Sequence, residues 1–238
     1  MKSKSLKKVS LSDANLLLTI TIVVFFLMYI GAMIFEGGGF LKPQTFFNIL
    51  NANGALIITA CGLSLVMITG SIDISVGGVV ALVSMCCAVY LDFKGGNVFV
   101  SLLIALAIGL GFGLVQGFLV AYLDIQPFIV TLAGMFFARG MIAVITTDMV
   151  NISNETFAKW ADWKLQLPFG GYTNRHGVMM NPFIRMPVII ALLVVVITFI
   201  ILKFTKFGRS LYAVGGSESS AKLMGLNVKK TKMKAYML

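Results

Sequence analysis

Charge is what this sequence has least of. Only 12% of its 238 residues are Asp, Glu, Lys or Arg, against ~25% in ordinary soluble domains. A chain so poor in charge cannot cover itself with a hydrated surface. A soluble globular fold is therefore excluded, and the 58% apolar content points to lipid. Acids are scarcer still, nine against nineteen Lys and Arg, for a net charge of +10. In a soluble chain that balance would suggest nucleic acid. Here the basic residues gather beside apolar runs, where they act as an orientation signal, and no nucleic-acid partner is expected. The one histidine, His176, has no second ligand spaced near it, so no metal centre is expected. The three cysteines, Cys61, Cys86 and Cys87, lie within apolar runs and lack metal-ligand or disulfide spacing. They read as small packing residues.

Motifs that carry chemistry are also missing. There is no Gly-x-x-x-x-Gly-Lys-Ser/Thr phosphate loop, so the chain should not bind ATP by that device. No His-Glu-x-x-His occurs, and no paired acids or Ser/His arrangement lies within the apolar runs. Gly109, Gly111 and Gly113 resemble half of a dinucleotide fingerprint but lack the preceding strand and the following acid. An enzyme is not expected.

What the sequence does have is long apolar runs. Residues 16–35 carry no charge, and twenty residues at ~1.5 Å each reach one hydrocarbon thickness, ~30 Å. The basic start MKSKSLKKV lacks a small-residue cleavage site, so this run reads as an uncleaved first span. Further runs follow over residues 44–72, 74–91, 95–123, 129–147 and 187–202. Together they predict an all-α, polytopic transmembrane helical bundle of about six spans. The second run carries Asn48, Asn51 and Asn53 in its first half and is expected to line an interior. In the fourth, Gly109, Gly113 and Gly117 recur every four residues, a ladder that admits another helix closely.

Six spans put both ends on one side. Placing Lys2, Lys4, Lys7 and Lys8 with the basic residues of 203–234 collects twelve cations there and leaves six opposite, so the amino terminus is expected in the cytoplasm. Residues 148–186 then form an external loop, which contains His176. The island 203–234 carries eight cations and one acid, Glu218. Within it Ser217 can cap a short helix, Glu218 sits in the first turn, Lys222 lies toward the end, and Gly225 can stop it. The island reads as the face that meets a soluble partner.

Two ionisable residues stand against apolar surroundings. Asp73, among Gly70, Gly77 and Gly78, either caps the third helix with Ser75 or serves a pathway at a break between helices. Arg139 lies deep in its span beside Phe128, Leu132, Met135 and Phe136. It either pairs with a carboxylate such as Asp73, lines a solute path, or snorkels to an interface. Asn48, Asn51 and Gln116 are further candidates, since amides line paths or join helices.

Three stretches then resemble one family: GLSLVMITGSIDISVGGVVAL (62–82), PFIVTLAGMFFARGM (127–141) and KFGRSLYAVGGSESSAKLMGLNVKKTKMKAYML (206–238). They are similar, in this order, to the ribose and simple-sugar permeases of bacterial ABC importers, and TLAGMFFARG with YAVGG…LMG is nearest the galactofuranose-type branch. The resemblance implies one transmembrane permease domain over 1–238 in the bacterial plasma (inner) membrane. It would translocate a monosaccharide, ribose- or galactofuranose-like, into the cytoplasm. It makes 203–234 a cytoplasmic coupling loop, with Gly208, Arg209, Gly215, Gly216, Ser217, Glu218, Ala221, Lys222 and Gly225 meeting a separate ATPase subunit. ATP and Mg would sit on that subunit, and this chain would bind no cofactor. A periplasmic or extracellular sugar-binding protein and a second permease, as homo- or heterodimer, are the other implied partners. Asn48, Asn51, Asp73, Gln116, Phe128, Thr131, Phe136 and Arg139 would supply a polar, partly aromatic path for a neutral sugar. Against the family's usual Gly-Gly-Ile-Asp-Leu-Ser-Val-Gly-Ser, this chain reads GSIDISVGG, which keeps Asp73, Ser75 and Gly77. The family also continues with further spans where this chain stops at AYML, so a truncated chain is expected. The alternatives are an ATP-independent secondary transporter using Asp73 and Arg139, and a membrane assembly fragment that moves nothing.

Overall fold

The computed structural model describes residues 13–36, 42–93, 95–168, 170–173 and 179–238. The basic start, Gly37 to Gly39, Lys94, Arg175 and His176 lie outside the described residues. Six helices are long and apolar enough to cross a membrane: α1 (Asp13–Glu36), α2 (Pro43–Ile68), α3 (Val76–Phe93), α4 (Val98–Tyr122), α5 (Pro127–Ile145) and α7 (Met186–Phe204). The expected multi-pass helical architecture is present. The connection before α7 holds α6 (Glu155–Ala161) and four short strands, β1 (Lys164–Gln166), β2 (Tyr172–Thr173), β3 (Met179–Met180) and β4 (Phe183–Arg185). After α7 come α8 (Lys206–Gly216), α9 (Glu218–Leu223) and α10 (Val228–Met237).

Contacts divide the chain into two units, Met1–Ile49 with Gln166–Phe183, and Leu50–Leu165 with Ile184–Leu238. In the first, the side chains of α1 described between Leu16 and Phe35 are mostly exposed and apolar, as befits a helix whose solvent is lipid. Buried Gln44 holds the backbone of Phe183, accepting from its N–H at 2.8 Å and donating to its carbonyl at 3.4 Å. The same amide donates to Asn48 Oδ1 at 2.7 Å. Strands β2 and β3 pair antiparallel, Tyr172 opposite Met180.

The second unit is built on α4, against which α3, α5 and α10 pack. Glycine lets these helices come close. A Cβ on Gly78 would lie 3.1 Å from the Met135 carbonyl oxygen, so α3 and α5 cross nearly backbone to backbone. On α4, a side chain at Gly113 would strike the carbonyl of Tyr236, and one at Gly117 would lie 3.1 Å from Tyr236 Cβ. The ladder read from the sequence is thus a groove that holds α10, except that Gly109 meets nothing within 4 Å. At the far end of α4, Asn97 caps the helix by accepting from Phe99 N–H. Nearby, Asn154 caps α6 and donates to the Gly96 carbonyl at 3.1 Å, while Ser153 N–H bonds Asp92. Asn51 accepts from Arg185 N–H at 2.8 Å, which pins the start of α7 on α2.

The groove predicts a sharp contrast between two glycines of one helix. Gly113→Val should destabilise the chain by about 2 kcal/mol through overpacking and expose the Lys229–Lys230 bond region to trypsin. Gly109→Ala should leave both the unfolding midpoint in detergent and the cleavage rate unchanged or slightly improved.

Candidate functional site

Between α2 and α3 the chain leaves the helix for residues 69–75, although both neighbours are membrane-length helices. Gly70 makes the turn possible, at φ +78°. Thr69, Ser71 and Ser75 are all buried there. Ser75 accepts the first bond of α3 on its carbonyl, from Val79 N–H at 2.9 Å. Asp73 then serves Ser75, its Oδ1 accepting from the Ser75 N–H at 2.8 Å and the Ser75 hydroxyl at 2.6 Å. Helix start and carboxylate are one unit, so the capping and break readings of Asp73 describe the same geometry.

Gln116 of α4 reaches this unit from the side, its Oε1 lying 3.2 Å from Ser75 Oγ. A hydroxyl has one proton, and the shorter bond to Asp73 claims it. Gln116 Nε2 has no partner among the described residues and is packed against Gly134 of α5, where any Cβ would collide with it. Turned about its last torsion, the amide donates to Ser75 and completes a chain from Gln116 through Ser75 to Asp73. Thr131, fully buried, returns its hydroxyl to the Pro127 carbonyl at 2.9 Å and lies 3.5 Å from the Ile72 carbonyl.

A cavity of about 530 Å³ opens beside this cluster, between α2, α3, α4 and α10. Its polar wall consists of Thr59, Asp73, Ser75, Ser84, Gln116 and Tyr236, and the remainder is aliphatic or Phe112. A second space of about 680 Å³ lies between α3, α4 and α5 and is apolar apart from Gln116, which lines both.

The sequence-predicted pathway residues separate. Asp73 and Gln116 line the polar cavity, and Thr131 backs it. Asn48 and Asn51 hold Gln44 and the Arg185 backbone instead. Phe128, Phe136 and Arg139 point away from both cavities, the two rings 46% and 61% exposed. Arg139 is exposed and makes no ion pair among the described residues, so the Asp73–Arg139 pair is not formed. Sequence reasoning missed Thr59, Ser84 and Tyr236. Their only signal is polarity at positions whose burial depends on helices distant in sequence.

The basic island folds as three helices. Thr205 caps α8, and Leu211 and Val214 bury its apolar face, Leu211 among Leu65 and Ala235. Gly208 lies where a side chain would strike the carbonyls of Leu202 and Ile201, and Gly215 where one would strike the carbonyl of Ile68. Both are required for close seating on the spans, whereas Gly216 meets nothing and Arg209 is exposed. Ser217 closes α8 and caps α9, accepting from Ser220 N–H at 3.2 Å. Ala221 is fully buried with Val214 and Val228, and Gly225 stops the turn at φ +79°. Glu218 bonds Lys232 of α10 at 2.6 Å and Lys222 at 3.0 Å. Leu223 and Met224, at the tip, are 90% and 67% exposed.

The bond from Lys232, and then that from Lys222, hold the Glu218 carboxyl below the usual carboxylate range. A depressed folded-state pKa contributes stability above the unfolded-state value and loses it as pH falls through the folded one. Wild type should therefore unfold at a higher temperature than Glu218→Gln at pH 7, and the two midpoints should converge below about pH 4.

Comparison with known proteins places this geometry in company. A family model described as branched-chain amino acid transport system / permease component matches residues 45–238. An inner membrane ABC transporter permease protein of Escherichia coli, YjfF, is 34% identical over 94% of this chain and 64% of its own. A fructose import permease protein of Bifidobacterium longum, FruG, is 36% identical over 99% of this chain and 68% of its own. The ribose import permease protein RbsC of Escherichia coli is 34% identical over 84% of this chain and 58% of its own. The chain thus spans about two thirds or less of the length of these relatives. No solved structure matches.

Proposed function

The chain belongs to the family described as branched-chain amino acid transport system / permease component, and on that premise we propose that it is the permease subunit of an ABC importer for a monosaccharide. Relatives named for fructose and ribose import support the solute class. So does the cavity, whose hydroxyls, amide and carboxylate suit a neutral polyol better than an aliphatic side chain. In this reading the protein is a multi-pass protein of the bacterial plasma membrane. ATP and Mg are bound by a separate cytoplasmic ATPase, and this chain holds no cofactor.

One observation carries the reading: the island is a preformed docking body. Its inward side is locked by Ala221, Gly215 and the Glu218–Lys232 bond, and its tip presents Leu223 and Met224 to solvent. Apolar side chains held out on a basic, rigid turn suit a groove on a soluble partner with an acidic rim. Lys222 and Arg209 flank that contact. The basic hairpin then faces the cytoplasm, and residues 148–186 face the sugar-binding protein outside.

A second permease subunit completes the path. Arg139 and its neighbours Phe128 and Phe136 are exposed on an apolar span, and an arginine there calls for a partner or a watered surface. Across a dimer, α5 would present Arg139 to a shared solute route.

Reconstitution with the ATPase and the binding protein tests this directly. Leu223→Glu with Met224→Glu should weaken ATPase binding by about tenfold or more, as loss of an apolar anchor does, and Arg209→Glu should lower it less. Ala221→Pro should break the hairpin itself and abolish uptake. Uptake that persists without any ATPase would overturn the reading.

A further inference from the structure

The inner end of the polar cavity is closed by a side chain from outside the six spans. Tyr236 belongs to α10, and its ring, only 8% exposed, is wedged among Val66 of α2, Val120 of α4 and Val130 of α5. It lines the cavity together with Asp73 and Gln116. Its hydroxyl donates to the Ile72 carbonyl at 3.4 Å, long for such a bond and therefore easily exchanged. That carbonyl lies in the helix break, one residue before Asp73.

The same short helix is tied to the docking body. One turn before Tyr236, Lys232 holds Glu218 of α9 at 2.6 Å and is itself only 15% exposed. No glycine or proline interrupts residues 228–237, so the two contacts move together. Beneath them α10 lies on the bare backbone of Gly113 and Gly117, a track without side chains to block a shift.

We infer that Tyr236 is the positioning residue that opens and closes the inner end of the cavity in response to the hairpin. With α9 at rest, the ring covers the Asp73–Ser75–Gln116 cluster and the hydroxyl anchors the break. When a partner draws α9 away, Lys232 carries α10 with it. Tyr236 then leaves Ile72, and the cluster faces the compartment on the hairpin side. A phenylalanine would fill the same space without the anchor, so the hydroxyl sets the preference for the closed arrangement. The inference rests on the transport reading for what passes through, but the closure itself is measurable without transport.

The intact permease assembly is prepared with Cys61, Cys86 and Cys87 replaced by Ala and a single Thr59→Cys probe in the cavity wall. A charged maleimide is added from the hairpin side of inverted vesicles. Tyr236→Phe should raise the labelling rate about fivefold, the scale of one lost hydrogen bond. Lys232→Met should raise it similarly, and the double variant should add nothing to either. A probe at Glu155→Cys, in α6 at the other end, should stay unlabelled and reports loss of the fold. Equal labelling of parent and Tyr236→Phe would overturn the inference, and so would additive effects of the two changes. Sugar uptake in matched vesicles is scored separately: its absence in the parent would sink the transport reading while the labelling still decides the closure.

Discussion

Backbone that leaves the helix inside a membrane protein must find every hydrogen bond within the protein, because lipid offers none. Residues 69–75 are such a stretch, and the rest of the second unit is arranged to meet its demand. Ser75 and Asp73 satisfy the start of α3. Thr131 and Tyr236 approach the Ile72 carbonyl from α5 and α10, and Gln116 comes in from α4. The close crossings at Gly78, Gly113, Gly117 and Gly134 exist so that short side chains can reach. A helix interruption of this kind would be costly for a bundle that only had to be stable. It makes sense in one that must present polar groups to a solute and then let them move.

The basic hairpin solves a different problem, holding its own shape while bearing a load. Its one acid is shared between Lys222 and Lys232, so Glu218 ties α9 to itself and to α10. Burial of Ala221, Val214 and Val228 supplies the short-range cohesion. The glycines at 208 and 215 bring α8 against the ends of α7 and α2. Polar contacts therefore give the body its form, and the apolar residues left at the tip are free for recognition.

Much of this was legible in the residues. Six spans followed from run length alone, because a bilayer imposes its thickness on any helix that crosses it. The short helix α9 followed from Ser217, Glu218, Lys222 and Gly225, since caps act within one turn. What depends on partners distant in the chain was not legible. Asn48 and Asn51 looked like pathway amides but hold Gln44 and Arg185, since an amide's role is set by what folds beside it. Arg139 promised a partner that Asp73 does not supply. Helices α8 and α10 were hidden in a charged island because their apolar faces are too short to stand out. The cavity's Tyr236 sits in a basic tail whose burial is created by α4.

The glycine groove also carries a consequence for biosynthesis. Its two halves are separated by on the order of a hundred residues, which at ribosomal speeds means ~10 s between the emergence of α4 and that of α10. For that interval the notch lies open to acyl chains and to neighbouring nascent helices. Correct assembly then depends on a late arrival displacing whatever has settled there first, so the slowest step in making this protein is its last one.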